Sequence, residues 1–295
     1  MGLVRCIDCS LIYVRSDDVG IGCAPDDDYI RTRILEAYNE PPPEQAGLFR
    51  SRLELAGAQL QGRRVLVIGC GNGAFLSTAK ALGWQPRGLD ISETPRDLLA
   101  PLGIDVCVDD AVEFLRAHVA TFDLIHMNHS LEYIPAAAEV VLAARRALAP
   151  GGLFYLEVPN EFDNLVYRTL ELIGRKRRRG SLFGRSVAPT LPSRHLYFFN
   201  KKSLERLALR AGFATFKLDA RRREPFKLGL ADAADTAAAL LGAGSFLTLT
   251  ANAPAGGACS RASSRGDVGL LRAPPGSCEY GACASPVASR PRPSR

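Results

Sequence analysis

The 295-residue sequence is poor in aromatic side chains (7%), with one tryptophan, two methionines and only four histidines. Each scarcity excludes something. No stretch is both apolar and long enough to span a bilayer, which takes about 20 such residues. The first residues lack the basic-then-apolar order of a secretion signal, so cytoplasmic residence is the expectation. Aromatic residues are not interleaved with the basic ones, which argues against stacking on nucleic acid. The eight cysteines are scattered over the ends and one glycine-rich loop, a pattern of reduced thiols rather than a disulfide frame. The net charge of +6 permits anionic partners without requiring them. At 47% hydrophobic residues, the chain can bury a sizeable core.

What is present is concentrated at residues 65–73, Val-Leu-Val-Ile-Gly-Cys-Gly-Asn-Gly, with a helix-like stretch over 74–82 behind them. A continuous apolar run reads as a buried parallel strand. Glycines directly after it let the backbone turn tightly and approach a ligand. The helix then offers free N–H groups at its start. Strand, glycine loop and helix together form a cradle for a nucleoside-bearing cofactor. Gly69, Gly71 and Ala74 also fit the dinucleotide pattern, and Asp90 closes a second apolar stretch about 20 residues on, where an acid accepts ribose hydroxyls. A nicotinamide enzyme and an S-adenosylmethionine (SAM) enzyme both satisfy these terms.

The next residues separate the two. A third strand over 104–108 leads into Asp109-Asp110-Ala111, and a fourth over 122–127 leads into Asn128-His129-Ser130-Leu131-Glu132-Tyr133. A helix over 136–148 is read as stopping at Pro150-Gly151-Gly152, a turn signal. A fifth strand, 153–158, runs into Pro159-Asn160. Phe122-Asp123, His129, Leu131-Glu132-Tyr133, Leu148 to Gly152, Glu157 to Asn160, His195 to Phe199 and Leu204 to Phe213 appear in that order. This succession resembles the class I SAM-dependent methyltransferases, in the branch that acts on small molecules, and it covers residues 60–252.

The resemblance implies a Rossmann-like α/β fold: a seven-stranded, mostly parallel sheet with helices on both faces and the last strand antiparallel. It implies SAM as cofactor and a small-molecule acceptor methylated on O, N or C. Gly69, Cys70, Gly71 and Gly73 would wall the methionine end; Asp90, with Ile91 after it, would take the ribose side. Asp110 and Ala111 would meet the adenine, and Asn128 and His129 would lie under the cofactor. Asp110 also reads as a helix N-cap. One departure stands out: the family carries an acid two residues before the first glycine, and this chain has Val67. A nicotinamide oxidoreductase is disfavoured by the Leu-Ala-Pro-Gly-Gly turn; a degenerate relative that only binds cofactor stays open.

For the acceptor side, histidine is the side chain whose ordinary pKa suits a base near neutrality. His118 reads as a surface-helix residue and His126 as a core histidine. That leaves His129 and His195 as the catalytic candidates, although Arg194 stands where related sugar C-methyltransferases carry a glutamate. Cys6 and Cys9 have the spacing of one zinc knuckle, but a tetrahedron needs a second pair, and Cys23 alone does not supply it. No metal is therefore expected unless a ribbon is completed.

The organisation follows. Residues 1–24 read as a remnant ribbon-like module and 25–62 as a helical segment with an amphipathic helix from Leu48. The methyltransferase domain spans 63–252, with an acceptor-side insertion at 159–199 that carries a helix over 162–173 and the basic run 175–179. That run is a solvated loop or a lid drawing in an anionic acceptor or membrane surface. Residues 201–211, 213–218, 230–241 and 245–250 read as helix, strand, helix and strand. The Ala/Gly/Ser/Pro/Arg-rich tail, 253–295, cannot bury enough surface to offset its ordering entropy.

Overall fold

The computed structural model describes residues 3–14, 43–163, 195–213, 215–221, 236 and 238–255. The expected helix over 162–173, the basic run 175–179 and the tail beyond 255 lie outside the described residues.

The strongest local signal behaves as read. Strand β3 (Arg64–Ile68) runs to the glycines, and helix α2 (Ala74–Ala81) follows them. Strands β4 (Gln85–Asp90), β5 (Asp105–Val108), β6 (Phe122–Asn128) and β7 (Leu148–Pro159) then pair in parallel, with β3 between β4 and β6. Strands β9 (Thr215–Arg221) and β10 (Phe246–Asn252) complete seven strands in the order β5-β4-β3-β6-β7-β10-β9. β10 is antiparallel to both neighbours. This is the expected α/β sheet, last strand reversed.

The strands alternate in the usual period of two, so each side of the sheet gets its own core. Leu66, Ile68, Ile125, Met127, Phe154 and Leu156 face one side. Helices α4 (Ala111–Ala117), α5 (Ala137–Ala147) and α6 (Lys201–Ala211) cover it. Val65, Val67 and Leu124 face the other, under α2 and α1 (Pro43–Gln59), which contributes Phe49 and Leu53. Helix α3 (Thr94–Leu99) adds Leu99 there. Helix α6 ends where its sequence says: Gly212 takes φ 77° at the C-cap, a left-handed turn that glycine adopts without strain.

The turn at Pro150-Gly151-Gly152 departs from expectation. Helix α5 stops earlier, at Ala147, and the three residues sit inside β7. Phe122 pairs with Leu148 and Leu124 with Leu153, so one residue of β6 faces a run of four. Pro150 offers no N–H to a ladder, and Gly151 takes φ 74°, so the segment bulges out of register rather than ending the strand.

Residues 3–14 form a hairpin of β1 (Leu3–Arg5) and β2 (Ile12–Val14), and β2 pairs with a short β8 (Tyr197–Phe198). Cys6, Cys9 and Leu11 are buried in the same core as α5 and α6. Thr236 and 238–240 are helical, within the stretch read as an Ala-rich helix. No helix of the described residues is long and apolar enough to cross a membrane.

Candidate functional site

The strand order reverses between β3 and β6, and open α/β sheets bind ligands beyond the carboxyl ends of the strands at that point. There the glycine loop meets the loop after β6. Gly69, Gly71 and Gly73 all take positive φ, at 69°, 52° and 74°. Two of the three have no room for a side chain. A Cβ on Gly69 would stand 2.5 Å from Ser130 Cβ, and one on Gly73 would overlap Leu99. At Gly71 a Cβ would enter open space, which is what a cradle for a ligand provides. Gly69→Ala is therefore expected to lower stability by about 1–2 kcal/mol from the left-handed backbone alone, with the Ser130 overlap adding to it. Chemical denaturation measures this, and an unchanged midpoint would show that the loop relaxes freely.

Asp90, 9% exposed, faces that loop. Its carboxylate accepts from Gly71 N at 3.2 Å and Ser92 N at 3.1 Å. Burial raises its pKa from the ordinary value, against the pull of these N–H groups. Ile91 beside it is exposed. Cys70 turns its side chain into the core, and burial followed by the Asp90 charge pushes its thiol well up, so the thiol stays protonated. Asp110 caps α4: Oδ1 accepts from Val112 N at 2.8 Å and Glu113 N at 3.1 Å. Ala111 opens that helix. Asn128 ends β6, and among the described residues its buried Oδ1 has no hydrogen-bond partner. A buried acceptor left open costs free energy unless a ligand fills it. The open space at Gly71 and the open acceptor at Asn128 leave room for the cofactor the sequence implied, while Asp110 serves as the cap of α4.

Beside this lies a charged cluster. His129 takes φ 53° and is a third exposed. Its Nδ1 is 3.6 Å from Glu132 Oε1, and its Nε2 is 3.6 Å from Glu157 Oε1. Burial draws its pKa down, but the Glu132 and Glu157 carboxylates outweigh burial and hold it above the ordinary 6.5. His195, only a tenth exposed, has both ring nitrogens engaged: Nδ1 with Glu161 Oε1 at 2.7 Å, Nε2 with Tyr133 Oη at 3.0 Å. Glu157 Oε2 in turn accepts from Arg52 at 2.6 Å, Arg221 at 3.0 Å and Tyr155 Oη at 3.1 Å. Burial works to raise the Glu157 carboxyl, and the charges of Arg52, His129 and Arg221 together hold it below its ordinary value.

The structure brings His129 and His195 to one cluster, sets His126 at its edge with Nε2 3.4 Å from the Arg52 guanidinium, and leaves His118 outside it. His126 is buried between Phe75, ring centroids 3.8 Å apart, and Tyr155 at 5.1 Å. His118 caps the end of α4 and stacks on Phe114. Asp123, in the same strand as the site, holds Arg64 through two bonds of 2.9 and 2.8 Å at the opposite, amino edge of the sheet. Among the described residues no group of three or more His, Cys, Asp or Glu is arranged to hold a metal ion.

Arg52, Glu132, Glu157, Glu161 and Arg221 received no role from the sequence. One signal was available for Glu157. An acid within Leu-Phe-Tyr-Leu-Glu-Val is forced into the interior by its neighbours, and a buried carboxylate needs cations. Arg52 had no such mark, since alternating charges on a helix are ordinary.

Residues 43–218 match the model of a family described as a methyltransferase domain, more than half of the chain. A ubiquinone biosynthesis O-methyltransferase of Aromatoleum aromaticum is 29% identical over 168 residues, covering 55% of this chain and 68% of that protein. Its counterpart from Thiobacillus denitrificans is 26% identical over 167 residues, with the same coverage. Among solved structures, a 1,6-didemethyltoxoflavin-N1-methyltransferase of Burkholderia thailandensis, with 1,6-didemethyltoxoflavin and S-adenosylhomocysteine bound, shares the fold. Its TM-score is 0.51 at 14% identity, covering 86% of this chain and all of that one.

Proposed function

The chain belongs to the methyltransferase-domain family, a SAM-dependent enzyme of small molecules, and from that premise we propose that it methylates an ionisable hydroxyl, with His129 as the base. The observation that carries this reading is the position of His129. Its imidazole is partly exposed at the carboxyl end of β6, on the loop whose Ser130 packs against Gly69 and bonds Ile68 O at 3.0 Å. His195, with both nitrogens occupied, orients the cluster from behind.

When bound, SAM supplies an electrophilic methyl group on a sulfonium. Gly71, Asp90, Asp110 and Asn128 hold it. His129 accepts the acceptor's proton as the oxygen becomes a nucleophile, and Glu132 and Glu157 stabilise the imidazolium that results. A base of near-neutral pKa matches a phenol or enol better than an aliphatic alcohol. The O-methyltransferase names of the relatives support oxygen as the accepting atom. Arg221, about a third exposed, favours an acceptor that carries negative charge. Val67 is buried at 4%, on the side of the sheet where Glu157 supplies a carboxylate two strands away.

Asp90→Ala tests the cofactor half. Each charge-assisted hydrogen bond contributes roughly 1.5–3 kcal/mol at most, so SAM affinity should fall at least about tenfold with the fold intact. Calorimetric titration that gives the parent value would remove Asp90 from the site. For the acceptor half, a panel of phenols and enols is screened for S-adenosylhomocysteine release. Release with amines alone would sink the hydroxyl reading.

A further inference from the structure

Glu132 lies in the short turn Leu131–Tyr133, 1% exposed. Among the described residues, neither of its carboxylate oxygens has a hydrogen-bond partner. An isolated buried carboxylate is costly, and one partner removed from a buried pair leaves the other uncompensated. What faces it is two imidazoles, both on one oxygen. Oε1 is 3.6 Å from His129 Nδ1 and 4.0 Å from His195 Nε2. The far nitrogen of each ring meets another acid: His129 Nε2 stands 3.6 Å from Glu157, and His195 Nδ1 stands 2.7 Å from Glu161. Carboxylate and imidazole therefore alternate through five residues, Glu157, His129, Glu132, His195 and Glu161.

We propose that Glu132 is a positioning residue for the transfer, a single buried carboxylate shared by His129 and His195 that makes the proton on each ring depend on the other. The kinetic consequence rests on the function proposed above; the coupling does not. One carboxylate compensates one imidazolium well and two poorly. Both rings approach the same oxygen of Glu132, so a change in how one ring holds that oxygen is felt by the other. Arg52 from α1 and Arg221 from β9 both bind Glu157 rather than Glu132, and Tyr133 Oη reaches His195 at 3.0 Å. Among the described residues, Glu132 is the acid within 4.0 Å of both rings. As His129 takes a proton from the acceptor, Glu132 holds the imidazolium in place, the role a buried carboxylate plays beside a histidine base.

The test reads the ring resonances of the histidines across pH on the whole chain, with His118, outside the cluster, as internal control. Glu132→Gln is expected to lower the titration midpoint of His129 by about one pH unit or more, as removal of a carboxylate within about 4–6 Å does, and to shift the ring resonances of His195 in the same variant. Glu161→Gln is expected to shift the ring resonances of His195 and to leave the His129 midpoint in place. A His129 midpoint that stays put in Glu132→Gln, or His195 resonances that do not respond, would overturn the coupling. Should the glutamine variant not fold, Glu132→Asp withdraws the oxygens by one methylene and keeps the charge. Both rings should then respond by less, and one responding alone overturns the proposal equally. The acidic limb of the turnover profile should follow the His129 midpoint. If the rings respond as expected and the parent methylates no hydroxyl, the proposed function fails and the coupling stands. If methylation is intact and the rings do not respond, the reverse holds.

Discussion

His129→Asn is expected to cut turnover roughly 10²–10⁴-fold, the usual contribution of a positioned base, while SAM affinity changes little. Asparagine is the right replacement because residue 129 sits at φ 53°, a left-handed conformation that Asn tolerates better than most residues. The variant thus removes the imidazole without forcing the loop. His195→Ala makes the comparison. It strips Glu161 and Tyr133 of their common partner, so it should lower stability and cost less turnover than His129→Asn. A larger turnover loss at His195, with stability and SAM affinity intact, would exchange the two roles. The pH profile adds an independent check. The base must be neutral to act, and Glu132 and Glu157 outweigh burial to hold the His129 pKa above 6.5. Turnover of the parent should therefore rise with pH through a midpoint above that value. An acidic limb below it would mean that His129 does not gate the reaction.

The fold was legible because its signals are local. An apolar strand followed by Gly69, Gly71 and Gly73 has few structural meanings, and Gly212 marks the end of a helix by backbone conformation alone. The turn at Pro150-Gly151-Gly152 misled for a physical reason. Its residues break a helix and a ladder equally, and only the pairing of β7 with β6 decides which. Asp110 was legible as the cap of α4 because it acts through its own neighbouring backbone, whereas Asp90 also reaches Gly71 N, 19 positions away. The charged cluster was not legible. Glu157 and Arg52 are 105 positions apart, and their meeting depends on how α1 lies on the sheet, which no periodicity encodes. His195 reaches the site because β8 pairs with β2, a contact between two segments of two and three residues.

Arg52→Met is expected to destabilise the fold by about 3 kcal/mol, the lower end of the cost of breaking a buried pair. Arg52 and Glu157 are 10% and 7% exposed and 2.6 Å apart, so solvent does little to replace the lost partner. The lower end applies because Arg221 remains 3.0 Å from the same oxygen. For a domain of this size the melting temperature should fall by roughly 6–12 °C. The pH dependence follows from Glu157. Its folded pKa is depressed, so its contribution is present above the unfolded value and is lost as pH falls through the folded one. Removing Arg52 raises that folded pKa. The gap between parent and variant should thus be widest near neutrality and narrow below the ordinary carboxylate range, at about pH 3. Glu157→Gln in the Arg52→Met background should recover part of the loss, because the buried carboxylate short of a cation becomes a neutral amide while Arg221, a third exposed, keeps contact with water. Arg52 also lies over the Tyr155 ring, its guanidinium carbon 4.4 Å from the centroid. A deficit that is equal at both pH values and unrelieved by Glu157→Gln would assign the contribution of Arg52 to that stacking and not to the ion pair.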